Sequence, residues 1–210
     1  HVNRWPPTEP VKYPDGSWTR YFEGSPIAWI EEGGIEKGIS SHVMSNVFAE
    51  ITLMKNLIIN GSMGVDYNIL DQYRHRKTFT YGDGFSQGPN SVTDLLNRDM
   101  YIKPQVLITY NTMLADNSIK LLAGASRESY SYNSLNGYRQ DFPSDDLIGL
   151  SAGSLVGMSN SGSIIENRVV SYFGRLNYSF KEKYLLETSI RYDGSSKFAA
   201  NKRWGIFPSV

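Results

Sequence analysis

Cysteine is absent from the 210 residues, which excludes thiol nucleophiles, disulfide scaffolds and thiolate-bound zinc. Histidine is nearly absent: His1, His42 and His75 are the only three, and none sits at paired metal-ligand spacing. No Asp/Asn series matches a calcium loop, so no cofactor or metal is expected. Excess charge is missing too. Lys+Arg and Asp+Glu both number 21, which leaves no bulk attraction for nucleic acid and disfavours it as a partner. No apolar run reaches the roughly 18 residues of a membrane helix. The opening His1-Val2-Asn3 has neither an initiator Met nor a signal-peptide pattern, and the chain is expected to be cut from something longer. What is abundant is aromatic and small: 4 Trp, 14 Tyr, 9 Phe and 19 Gly. With 40% hydrophobic residues, that composition favours β structure with aromatic-rich surfaces.

Five of the nine prolines (Pro6, Pro7, Pro10, Pro14, Pro26) fall in the opening segment beside Trp5, Trp18, Trp29 and Asp15-Gly16. Residues 1–41 therefore read as an irregular loop. From His42 onward the hydrophobic period is two, in segments longer than the five or six residues of a globular strand. In Leu57–Leu70, Leu57, Ile59, Met63, Val65 and Ile69 share one face; Asn60, Ser62, Asp66 and Asn68 share the other. Val170, Tyr172, Leu176, Tyr178 and Phe180 oppose Ser171, Arg175, Asn177 and Ser179, and Leu186, Ile190 and Tyr192 oppose Glu187, Ser189 and Arg191. Ile102–Leu114 behaves alike; Val43–Leu53 and Ile119–Tyr130 follow more loosely. With a last strand starting near Arg203, the pattern predicts seven.

Three connections are tight, at Met54–Asn56, Ala115–Asn117 and Lys181–Lys183, as in hairpins. Three are long, at Asp71–Met100, Asn133–Asn167 and Asp193–Lys202, and short alternates with long. An up-and-down sheet with all tight turns at one end, greasy outside and wet inside, is the signature of an outer-membrane β-barrel. The fold class expected is all-β, an antiparallel arc of about seven strands from a larger transmembrane barrel, with short periplasmic turns and long extracellular loops. Residues 1–41 would be an extracellular loop and 42–210 strands and loops of one partial barrel domain. Tyr178, Phe180 and Tyr184 would form an aromatic girdle near the inner headgroups, with Tyr172 and Tyr192 near the opposite rim. Arg127 falls on the apolar phase, at a height where a charge meets the outer interface. Buried antiparallel sheets alternate as well, so the alternative is a soluble β-sandwich binding module on the cell surface.

The run SYFGRLNYSFKEKYLLETSIRYDGSSKF (171–198), followed by RWGIFPSV (203–210), resembles the SusC/RagA family of TonB-dependent outer-membrane transporters. KLLAGASRESYSYNSLNGYRQDF (120–142) and YPDGSW (13–18) agree more weakly. The resemblance implies a plugged 22-stranded barrel in the outer membrane of Bacteroidetes-type bacteria. Such a barrel imports oligosaccharides or peptides beneath a SusD-like lipoprotein, driven by the TonB complex. It implies no enzymatic activity. Plug and TonB box are not recognisable in this sequence, so this segment would supply wall and loops.

Gly149-Leu150-Ser151-Ala152-Gly153 formally matches a nucleophile elbow, yet it lies in a Gly/Ser-rich loop composition and no acid or His is placed to complete a triad. No catalytic residue is assigned. Asp145-Asp146 reads as solvated, the sequons at Asn60 and Asn177 fall inside strands, and Arg74-His75-Arg76-Lys77 reads as a basic loop base that contacts lipid phosphate, a partner or an anionic substrate. Sugar rings stack on exposed aromatics. Trp18, Tyr21 and Trp29 in the opening segment, with Tyr132 and Tyr138 in the second long loop, are the candidate substrate contacts; the same rings could instead pack the loops together.

Overall fold

A computed structural model describes residues 8–21 and 24–210; Trp5, Pro6 and Pro7 of the opening loop lie outside them. Seven strands form one antiparallel sheet: β1 (Gly34–Met54), β2 (Leu57–Arg76), β5 (Ser91–Leu114), β6 (Asn117–Gln140), β7 (Ser159–Phe180), β8 (Tyr184–Ser195) and β9 (Trp204–Ser209). Two further strands, β3 (Phe79–Thr80) and β4 (Ser86–Gln87), make a small hairpin of their own. The sheet order β1-β2-β5-β6-β7-β8-β9 follows the chain, as expected of a meander. β1 and β9 stand at its edges, and Pro208, which has no N–H to give a ladder, falls on edge strand β9.

The strands are longer than their hydrophobic pattern. β1 begins at Gly34, not near His42, after a short helix α1 (Pro26–Glu32); β5 begins at Ser91, β6 runs to Gln140, and β7 begins at Ser159. Hydrophobic alternation records only the part of a strand with one greasy face. Beyond it polar side chains enter both phases while the backbone ladder continues, and the periodicity stops without the strand stopping. The long connections shrink to 77–90, 141–158 and 196–203, each still longer than the two- or three-residue turns at 55–56, 115–116 and 181–183.

Pairing register fixes the two faces. Tyr172 opposes Tyr192, Leu176 opposes Thr188, Tyr178 opposes Leu186 and Phe180 opposes Tyr184; on the alternate phase Ser171 opposes Asp193 and Asn177 opposes Glu187. Directly opposite residues project to the same side, so the apolar phases of β7 and β8 coincide. β9 continues them, with Ile206 opposite Tyr192 and Trp204 opposite Gly194. Tyr192 stacks on Trp204 at 4.6 Å between centroids and Tyr172 lies 6.2 Å from the same indole. Gly194 makes room for that indole, since a Cβ there would meet its ring at 2.7 Å. The apolar face is uncovered: Val47, Ile51, Ile190 and Ile206 are all more than half exposed. A sandwich needs a second layer there, and none of the described residues supplies it.

Two compact units can be distinguished. One gathers residues 41–68, 98–133 and 164–210 and contains the tight turns. In it each turn is tied to a neighbouring element. The Asn56 carbonyl accepts from the Asn111 N–H at 2.8 Å, the Asp116 carbonyl from the Lys181 N–H at 2.9 Å, and Asn117 Oδ1 from the Tyr178 hydroxyl at 2.7 Å.

The other unit gathers the opening segment to Ser40 with residues 69–97 and 134–163. It has its own small core. Ser25 caps α1, its Oγ accepting from the Ala28 N–H at 3.3 Å, with Pro26 in the first turn where a missing N–H costs nothing. α1 thereby presents Ala28 and Trp29 to Trp18, Phe79 and Tyr81. Trp29 meets Phe79 edge-on at 5.5 Å and Phe79 meets Tyr81 at 5.2 Å. The chain then enters β1 through Gly34 at φ +101, where a Cβ would lie 2.1 Å from the His75 carbonyl oxygen; only glycine fits. Arg20 pairs with Asp83 at 2.7 Å. The Phe85 N–H, and then Arg20, hold the Asp83 carboxyl below the usual carboxylate range. That tie is present above the unfolded carboxylate pKa and is lost as pH falls through the lower folded value.

Candidate functional site: the polar face and the loop core

The polar face in the tight-turn unit is a field of fixed, paired charges. Lys103 on β5 meets Glu128 on β6 at 2.8 Å, and the Tyr130 hydroxyl donates to Asp99 at 2.7 Å. On β7 and β8, Arg191 donates to Asp193 at 2.8 Å and to Ser171 Oγ at 2.9 Å. Asn177 donates to Glu187, which also faces Arg175 at 3.8 Å. On β1 and β2, His42 contacts Asp66 at 2.6 Å. Each pair joins residues of the polar phase, and opposite charges set across neighbouring strands add support to a sheet. An open depression of about 730 Å³ follows this face, with Lys120, Arg175 and Glu187 in its lining. No group of three or more metal-ligating side chains occurs among the described residues. The surface can hold water and orient polar solutes by hydrogen bonds.

The five candidate contacts separate. Trp18 and Trp29 come together, but in the loop core: Trp18 is only 6% exposed and Trp29 is half-buried. Lys12 Nζ covers the Trp18 ring at 3.7 Å. Tyr21 makes an isolated bridge with Gly24. Tyr132 and Tyr138 lie not in a loop but within β6, on the phase of Glu128 and Tyr130, and the Tyr138 hydroxyl donates to Gln140 Oε1 at 2.9 Å. Strand alternation splits the basic run 74–77. Arg74 makes a two-pronged pair with Glu36 at 2.8 and 2.9 Å, while His75 is buried. Leu150–Ala152 forms a single 3₁₀ turn rather than a strand-to-helix elbow.

Composition gave no sign of Asn90. This buried side chain clasps the loop 141–158: its Oδ1 accepts from the Phe142 N–H at 2.7 Å, and its Nδ2 donates to the Phe142 carbonyl at 3.1 Å and to Asp145 at 2.8 Å. A flexible-looking segment is thus pinned where it leaves β6. Asn90→Ala should cost about 1–3 kcal/mol locally, the penalty for leaving buried partners unmade. Hydrogen exchange should speed up at 141–147 and stay unchanged at the tight turns; equal protection in the variant would show the clasp to be idle.

No protein-family model matches the chain. Among characterised proteins, it is 26% identical to the TonB-dependent receptor SusC of Bacteroides thetaiotaomicron over 194 residues, covering 89% of this chain and 18% of that protein. It is 27% identical to the TonB-dependent receptor P39 of Formosa agariphila over 208 residues, covering 93% and 19%. Over most of its length the chain is similar to SusC and other TonB-dependent receptors. Solved structures agree in fold. The RagAB peptide transporter superposes with a TM-score of 0.78 over 92% of this chain and 22% of that one, at 22% identity. Its 'open-open' state gives 0.77 over 93%. The chain spans about a fifth of the length of the relatives it matches, which are named as receptors and, among the solved structures, a transporter.

Proposed function

We propose that this chain forms part of the wall and mouth of an outer-membrane importer. One observation carries the reading: in β7, β8 and β9 the pairing register keeps an uncovered apolar face apart from a face of paired charges. Backbone in hydrocarbon must be fully paired, and a strand there needs grease on its outer side alone. The apolar face accordingly meets acyl chains and the polar face meets the aqueous bore. Eight residues separate Tyr172 from Phe180, about 26 Å along a strand and about 20 Å of height at a 40° tilt, close to the 25 Å band between aromatic girdles.

The cargo class is an oligosaccharide or a peptide. Likeness to the RagAB peptide transporter favours a peptide. A SusD-like lipoprotein would sit over the mouth and the TonB complex would supply the drive. Tyr132 and Tyr138, on the polar phase, would meet cargo from the wall, and Tyr21 from the opening segment. Trp18 and Trp29 would act chiefly by shaping the loop core.

Cysteine scanning of the full-length receptor in intact outer membranes tests the orientation. Cysteine at Leu176 or Ile190 should react with a lipid-soluble maleimide and resist a membrane-impermeant one, with the opposite result at Arg175 and Glu187. Reversed labelling would put the bore on the wrong side and defeat the proposal.

A further inference from the structure

Above the Tyr172 girdle the apolar phase carries charge. Arg127 on β6 and Arg168 on β7 both fall on it, and together with Glu166, Ser129, Met100 and Ile102 they line a shallow cavity of about 280 Å³. Three observations place this cavity on the outward side. Glu128, paired with Lys103, fixes the even phase of β6 as polar, which puts Arg127 on the other side. Ser171, bound to Arg191, fixes the odd phase of β7 as polar, which does the same for Arg168. Ile102 lies on the apolar phase of β5. An arginine pointing away from the bore needs a reason, since the outward face of such a strand meets only lipid and its headgroups.

Height gives the reason. Arg127 is ten residues from Asn117 at the tight turn and Arg168 twelve from Phe180. At a 40° tilt those are rises of about 25 and 30 Å, the level of the outer headgroups. At that level a cation costs little, and an anionic headgroup beside it forms charge-assisted hydrogen bonds. The two guanidiniums are not consumed by protein partners. Arg127 Nε donates to Ser129 Oγ at 3.3 Å, and no carboxylate among the described residues lies within ion-pairing distance of it. Arg168 spends one nitrogen on Glu166 at 3.0 Å, and both of those side chains stay more than half exposed. The floor is apolar, supplied by Met100 and Ile102.

We infer that Arg127 and Arg168 form a binding site for the phosphate of an outer-leaflet lipid headgroup, with Met100 and Ile102 beneath it against the first carbons of the acyl chains. Glu166 tunes the site by competing for Arg168. This inference rests on the orientation proposed above.

The test uses the full-length receptor in phosphatidylcholine nanodiscs doped with diphosphoryl lipid A, with bound glycolipid counted by native mass spectrometry. Arg127→Gln with Arg168→Gln should lower retention at least tenfold, Glu166→Gln should raise it, and fully dephosphorylated lipid A should bind the wild type no better than the double variant binds the phosphorylated form. Equal retention by wild type and double variant overturns the site. Inorganic phosphate at millimolar concentration should not displace the lipid; full displacement would assign the site to free phosphate and overturn the lipid reading. A lipid-soluble quencher on the same discs separates the two failures: quenching of a fluorophore at Leu176 with no lipid A difference sinks only the site, whereas no quenching there sinks the orientation.

Discussion

Arginine at Leu176 or Ile190 in the full-length receptor should destabilise the folded barrel by about 2–4 kcal/mol, whereas arginine at Asn177 or Ser189, one residue away, should change little. The difference is one of surroundings. Leu176 opposes Thr188, between the Tyr172 and Phe180 rings, at the depth where a lipid-facing cation is most costly. Asn177 already bonds a carboxylate on the other face, and a cation there stays solvated and finds an acid. Four Arg variants, refolded into vesicles and scored as folded fraction by their heat-dependent gel mobility, give the comparison directly. Equal losses at all four positions would mean that both faces are wet or both are packed, and the membrane reading would fall.

Trp18→Ala should destabilise the loop unit by about 3–5 kcal/mol, the usual range for deleting a large buried aromatic. It shares one buried cluster with Ala28, Phe79 and Tyr81, against which Val11 and Trp29 pack, and its carbonyl accepts from the Gly82 N–H at 2.9 Å. Loss of the ring leaves α1 and the β3–β4 hairpin without their common support. Hydrogen exchange across 24–33 and 79–87 should accelerate together, while the tight-turn unit keeps its protection. Trp18→Phe should restore most of the order. A Trp18→Ala receptor that lost cargo binding with exchange unchanged would return Trp18 to the role of a direct stacking contact.

The sheet was legible because its physics is local. Period-two alternation from Leu57, Val170 and Tyr184 gives strands, phase and partners, and the three tight turns give the meander. Strand ends were not legible, because Arg127, Ser129, Glu166 and Arg168 break the greasy pattern while the ladder runs on to Gln140 and Ser159. Helix α1 was missed for a related reason. At seven residues it is shorter than two turns and sits among prolines and tryptophans, so its stability comes from Ser25 and from packing on Phe79 and Tyr81, which are distant in sequence. The same distance hid the packing of Trp18 and the hydrogen bonds of Asn90. Which aromatics of a loop composition pack on one another depends on neighbours far along the chain, and local pattern does not carry that information.

The ties at the tight turns have a mechanical meaning. Asn56 to Asn111 ties the first hairpin tip to β5, and Asp116 to Lys181 with Asn117 to Tyr178 ties the second to the third, like staples between neighbouring staves. A tug on any one tip is shared by its neighbours instead of splaying two staves apart. Two neighbouring strands joined this way at their turns hold their register at that end through backbone bonds that no side-chain change removes.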